Sequence, residues 1–233
     1  MITCAVVVPS PPLLVPALVP GAVERSAAVR DATLTAVRAL AQVNRHWVAV
    51  GVASGRHTVH PSTRGSFRGF GVDVPVALSG TADGAETTLP LPALLAGWLR
   101  DQAGAESVRV ELVSAHADVA DCVALGERLA GADEAALLVL GDGSTRHPTA
   151  PPGWPDPRAE AFDATVGAAL AEADAEALLA IDPALAADLQ AEGRPAWQVL
   201  AGLARSSGDW GGELLYSDAP FGVAYHVATW DRR

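Results

Sequence analysis

The chain contains no lysine: its sixteen basic residues are all arginine. Schiff-base catalysis, attachment of pyridoxal phosphate and a phosphate-binding loop ending in Gly-Lys-Ser/Thr all need the missing amine, so each is excluded. Cysteine is nearly as scarce. Cys4 and Cys122 are far apart, each inside a segment of regular pattern. That argues against a disulfide framework or a thiolate zinc cluster and for two buried thiols. No apolar run approaches the roughly 20 residues that span a bilayer. The start lacks a basic region and a small-residue cleavage site, so the expectation is a soluble, cytoplasmic protein with no membrane partner. Positive charge is outweighed too. A formal net charge of −11 repels phosphate backbones and anionic lipid surfaces, which argues against nucleic acid as a partner.

Against these absences stands a high apolar content, 50% over 233 residues. A chain of this length can form one large domain that buries roughly three quarters of its unfolded surface. Residues 1–233 are therefore expected to form a single domain. Periodicity predicts strands over 2–8, 47–53, 72–78, 108–113, 135–140, 213–216 and 223–229. Helices are predicted over 23–43, 91–102, 119–130, 160–171, 175–180, 183–190 and 196–204, with Asp182 capping the helix that Pro183 opens. Pro75 argues for an edge position for its strand. The stretch 54–71 reads as one long loop, and the prolines at 148, 151, 152, 155 and 157 exclude helix there. Strand and helix alternate. The fold class implied is α/β, with a predominantly parallel or mixed central sheet and helices on both faces, the two chain ends sharing that sheet.

Open α/β sheets place their chemistry at the carboxyl ends of strands. Ser10 follows the first strand on a backbone stiffened by Pro9, Pro11 and Pro12. Gly141-Asp142-Gly143-Ser144-Thr145-Arg146-His147 follows another. Asp142 and His147 are candidates for a carboxylate–imidazole pair in proton transfer, against a reading of the same residues as turn chemistry. Ser10, Ser144 and Thr145 are candidates to line the cleft. His57 and His60 could ligate Fe(II) or Zn(II) if their loop turns tightly, or could belong to an exposed polar loop, and Glu192 could face the cleft or be a solvated helix end. His46 and His226 read as core or edge histidines. Trp154 and Trp210 are candidate exposed anchors for a protein partner.

Several of these segments, taken in order, resemble the class III extradiol ring-cleavage dioxygenase superfamily, including its LigB-like and Memo-like branches. They are Val8-Pro9-Ser10-Pro11-Pro12-Leu13-Leu14-Val15-Pro16, Gly65-Ser66-Phe67-Arg68-Gly69-Phe70-Gly71, Gly141-Asp142-Gly143-Ser144, Phe162-Asp163, Asp182-Pro183 and Pro220-Phe221-Gly222-Val223. The resemblance implies non-haem Fe(II) held by two histidines and a carboxylate, with a further histidine for acid–base work in oxygen-dependent catechol cleavage. It places the first iron histidine at Ser10 and the acid–base histidine at Thr145, with His147 two positions late. His57 or His60 would correspond to the second iron histidine and Glu192 would lie near the carboxylate ligand. A serine hydroxyl is a poor Fe(II) ligand and threonine cannot replace histidine as a proton carrier near neutral pH. The expectation is a dioxygenase-like scaffold with a degenerate iron site and no cofactor, binding a small molecule or running a different reaction in the ancestral cleft. Two alternatives stay open: a rearranged Fe(II) or Zn(II) centre on His57, His60 and Glu192 or His147, and a non-enzymatic structural or protein-interaction role. A homo-oligomer is compatible with all three.

Overall fold

The chain's first apolar segment becomes strand β1 (Cys4–Val8), buried along its whole length and flanked by two later parts of the chain. On one side it runs parallel to β7 (Ala136–Leu140), with Val8 opposite Leu140; on the other it is antiparallel to β9 (Tyr225–Arg232), with Val7 opposite Ala228. The two chain ends do share a sheet. The structure, a computed structural model, describes residues 1–131, 134–151 and 154–233. Pro152, one of the helix-excluding prolines, lies outside the described residues.

The remaining strands are β2 (His46–Ala53), β3 (His57–Val59), β4 (Arg64–Ser66), β5 (Pro75–Ala77), β6 (Ser107–Ser114) and β8 (Trp210–Asp218). Seven of the nine build one sheet in the order β3-β6-β2-β7-β1-β9-β8, and β4 and β5 pair as a separate ribbon. The four central strands are parallel to one another, while β3, β9 and β8 join antiparallel. The sheet is therefore mixed, with a parallel centre.

Helices cover both faces, as fully apolar central strands require. In β7, Leu138 and Leu140 point into a core with α1 (Ala27–Val43) and α2 (Leu91–Ala103), whereas Leu137 and Val139 point into one with α3 (Val119–Ala130), α4 (Ala159–Glu172) and α7 (Arg194–Ser207). Two short helices, α5 (Ala175–Leu179) and α6 (Pro183–Asp188), precede α7. Asp182 caps α6 as its sequence predicts, accepting from the Ala184 and Leu185 amides at 3.0 and 3.3 Å. The stretch 54–71 is not one loop, since it contains β3, β4 and a single 3-10 turn at Phe67–Phe70. Helix α1 starts four residues later than its periodicity predicts. There Ser26 donates to the Ala22 carbonyl and accepts from Arg30, holding residues 22–26 in a turn.

Candidate functional site

The adjacent strands β1 and β7 send their chains to opposite faces of the sheet: β1 leads to α1 and β7 to α4. Where neighbouring connections part in this way a crevice opens beyond the carboxyl ends of the strands. A cavity of about 260 Å³ occupies that position, lined by Ser10 from the end of β1, Asp142 and Thr145 from the end of β7, Glu192 and Tyr225. Backbone ties hold it together. The Gly141 amide donates to the Val8 carbonyl at 3.0 Å, and the Gly193 amide donates to the Asp142 carbonyl at 2.8 Å.

Asp142 is the chemical centre of this cavity. Its carboxylate accepts the Ser10 backbone N–H at 2.7 Å. Desolvation within the surrounding protein pushes its pKa up to about 7, the Ser10 amide opposes that shift, and the nearby Glu192 charge adds to it. Burial likewise raises the Tyr225 phenol, and the Asp142 charge raises it further. A carboxyl that titrates near neutrality suits both taking and giving a proton. The prolines around Ser10 thus present a main-chain donor to Asp142, a role distinct from liganding by the hydroxyl.

His147 is not Asp142's partner. The structure instead pairs it with Asp163 of α4, at 2.7 Å from Nε2 to Oδ2, correcting the expected Asp142–His147 dyad. The other Asp163 oxygen receives His226 Nε2 at 3.3 Å, and His226 Nδ1 meets the Ser217 hydroxyl at 3.0 Å. Both oxygens also face the Ser144 amide at 3.2 Å. Asp163 is 4% exposed and His226 1%. This His147–Asp163–His226 cluster ties the loop after β7 to α4 and β9. Ser144 belongs to it rather than to the cleft: fully buried, it donates its hydroxyl to the Leu189 carbonyl at 3.1 Å.

Thr145 donates its hydroxyl to Gln190 Oε1 at 2.7 Å. Together with Glu192 it also lines a second cavity of about 550 Å³ beneath α6, so the two spaces adjoin. His57 and His60 lie elsewhere. His57 belongs to β3, the outermost strand, opposite Leu112 of β6, and both histidines are exposed. The trio His57, His60 and Glu192 does not assemble. Among the described residues no three His, Cys, Asp or Glu side chains are grouped so that they could hold a metal ion. With hydroxyls at Ser10 and Thr145, one of them already donated to Gln190, the residues present do not fit a ferrous ion.

Asp163 and Tyr225 escaped assignment from sequence as site residues. Asp163 interrupts the apolar face of α4, which is a usable signal, whereas Tyr225 sits in an apolar strand with nothing to set it apart. Cys4 and Cys122 are both buried and free, their thiols pushed up to about 12 and about 11 chiefly by burial. Trp210 is buried at the start of β8, and of the two proposed anchors only Trp154 is exposed, at 48%.

The fold and cleft define an α/β protein with a strand-end crevice. No family model and no curated protein matches the chain. Among solved structures it is similar to the crystal structure of an uncharacterized protein, JW3007, from Escherichia coli K12. The TM-score is 0.57 and the identity 13%, over 98% of this chain and 99% of that one. At that identity the likeness shows the fold. Among the described residues no helix is long and apolar enough to cross a membrane.

Proposed function

We propose that the cavity between the ends of β1 and β7 is a small-molecule site in which Asp142 serves as general acid–base, on a scaffold that resembles the class III extradiol dioxygenases but lacks their iron chemistry. The carrying observation is the Asp142 carboxyl, raised to about 7 and aimed by the Ser10 amide at 2.7 Å. Beside it, Ser10 and Tyr225 supply hydroxyls that can orient a bound molecule, and Glu192 keeps a second carboxylate at the mouth. Asp142 would hold the proton below neutrality and release it above, so acid and base steps are both open to it at ordinary pH.

The reading makes no use of iron, and its test follows from that. Protein purified anaerobically and supplied with Fe(II) is expected to retain no stoichiometric iron and to show no catechol-dependent oxygen uptake. Bound iron at one equivalent together with such uptake would reject the reading. A small-molecule thermal-shift screen supplies the positive arm: stabilising compounds should lose their effect in Asp142→Asn.

A further inference from the structure

The larger cavity contains a charge that the acid–base reading leaves unused. Arg194 opens α7 and lines the cavity, yet is only 3% exposed. A guanidinium taken out of water normally finds a carboxylate, because a buried charge without a counter-charge is costly. Arg194 has neutral partners instead. Nη1 donates to Gln198 Oε1 at 2.9 Å and Nη2 to the Ala115 carbonyl at 3.0 Å. Burial pushes its pKa down, and no carboxylate among the described residues stands within 4.0 Å. The acidic groups that share the cavity, Asp118 and Glu192, are both exposed, and the Asp118 charge opposes the burial shift on Arg194 without outweighing it; His116 is exposed as well.

The rest of the wall is mixed. Alanines from the β6–α3 loop and from α6 form a continuous apolar stretch, Thr145 and Gln190 add polar groups, and Trp154 lies under the Arg146 guanidinium, 5.1 Å from its ring centre. A cavity with one alanine-lined side and one buried, forked cation fits a molecule that is apolar along its length and carries a planar monoanion at one end.

We infer that this cavity binds a small organic monocarboxylate, its carboxylate on Arg194 and its hydrocarbon body along the alanine wall. A single guanidinium matches the one charge of a carboxylate and leaves the further charge of a multiply charged anion such as phosphate unbalanced. The inference rests on the acid–base reading only in treating the adjoining cavities as one ligand site. Because binding is read without turnover, and the iron and oxygen assays decide the other reading, the two can fail separately.

Calorimetric titration with acetate, butanoate, hexanoate, hexan-1-ol and inorganic phosphate tests it. Affinity should rise from acetate to hexanoate, and hexan-1-ol and phosphate should each bind at least about tenfold more weakly than hexanoate, the cost of losing or mismatching a charge-assisted pair. Arg194→Gln, folded by circular dichroism, should weaken hexanoate by about tenfold or more. Ala187→Phe, at an exposed wall position away from the guanidinium, should block the cavity and keep the test decisive even if Arg194→Gln does not fold. Failure of hexanoate to saturate the wild-type protein would overturn the inference. So would unchanged hexanoate affinity in either folded variant, or phosphate binding as tightly as hexanoate.

Discussion

Asp142 and Asp163 show how one residue type takes opposite roles a short distance apart. Asp163 is surrounded by donors: the Ser144 amide and two imidazoles, with His147 at 2.7 Å. Replacing it with alanine leaves those donors buried without acceptors, a loss of about 3–5 kcal/mol in unfolding free energy, measurable by urea titration. Asp142 has one strong donor and much less water than a free carboxylate. Its folded pKa of about 7 exceeds the unfolded value of about 3.9, so the folded state binds more protons between those limits. The stability contribution is complete below about pH 4 and is lost as pH rises to about 7, up to about 4 kcal/mol and less where water enters the cavity. Asp142→Asn removes this dependence. Unfolding free energy across that range should fall with rising pH in the wild type and lose that slope in the variant.

Among the elements, α3 and α7 pack closely because each carries a glycine at the crossing. A Cβ on Gly126 would come within 2.2 Å of the Val199 carbonyl oxygen, and one on Gly202 within 2.7 Å of the Val123 Cα. Both obstacles are backbone and cannot rotate away. Gly126→Ala should therefore cost more than the usual about 1–3 kcal/mol of overpacking, despite alanine's better helix propensity, and should lower the melting temperature. The same crossing places the start of α7, and with it Arg194 and Gly193, beside the loop after β7. Element positions were largely legible from sequence: α3 occupies its predicted span, and β7 begins one residue after its expected start. The three-residue strand β5 falls inside the predicted 72–78, whereas β3 and β4 gave no such signal. Two or three side chains cannot establish a period, and Pro75 points only to an edge, which it occupies in the β4–β5 ribbon.

Across the whole molecule, the carboxyl-terminal strand joins a sheet whose parallel centre is built from the first 140 residues of the chain. β9 covers the side of β1 that would otherwise be an open, fully apolar edge, and it also supplies Tyr225 to the cavity wall and His226 to the Asp163 cluster. Truncation after Gly222 should therefore expose β1 to edge-to-edge pairing. The expected outcome is loss of the folded monomer, read as aggregation in light scattering together with loss of a cooperative thermal transition.

By itself the sequence determined the alternation of elements, the apolar runs that must be central strands, the stiff turn at Ser10, and the absence of imidazole at that position and at Thr145. These follow from local pattern and residue chemistry, which need no knowledge of distant neighbours. Only the tertiary structure decided that Asp142 faces the Ser10 amide, that His147 pairs with Asp163, that His57 and His60 lie on a far edge, and that Arg194 is buried beside a cavity. Each depends on groups separated in the chain being brought together, and burial changes a charge's energy only once the surrounding fold has removed its water.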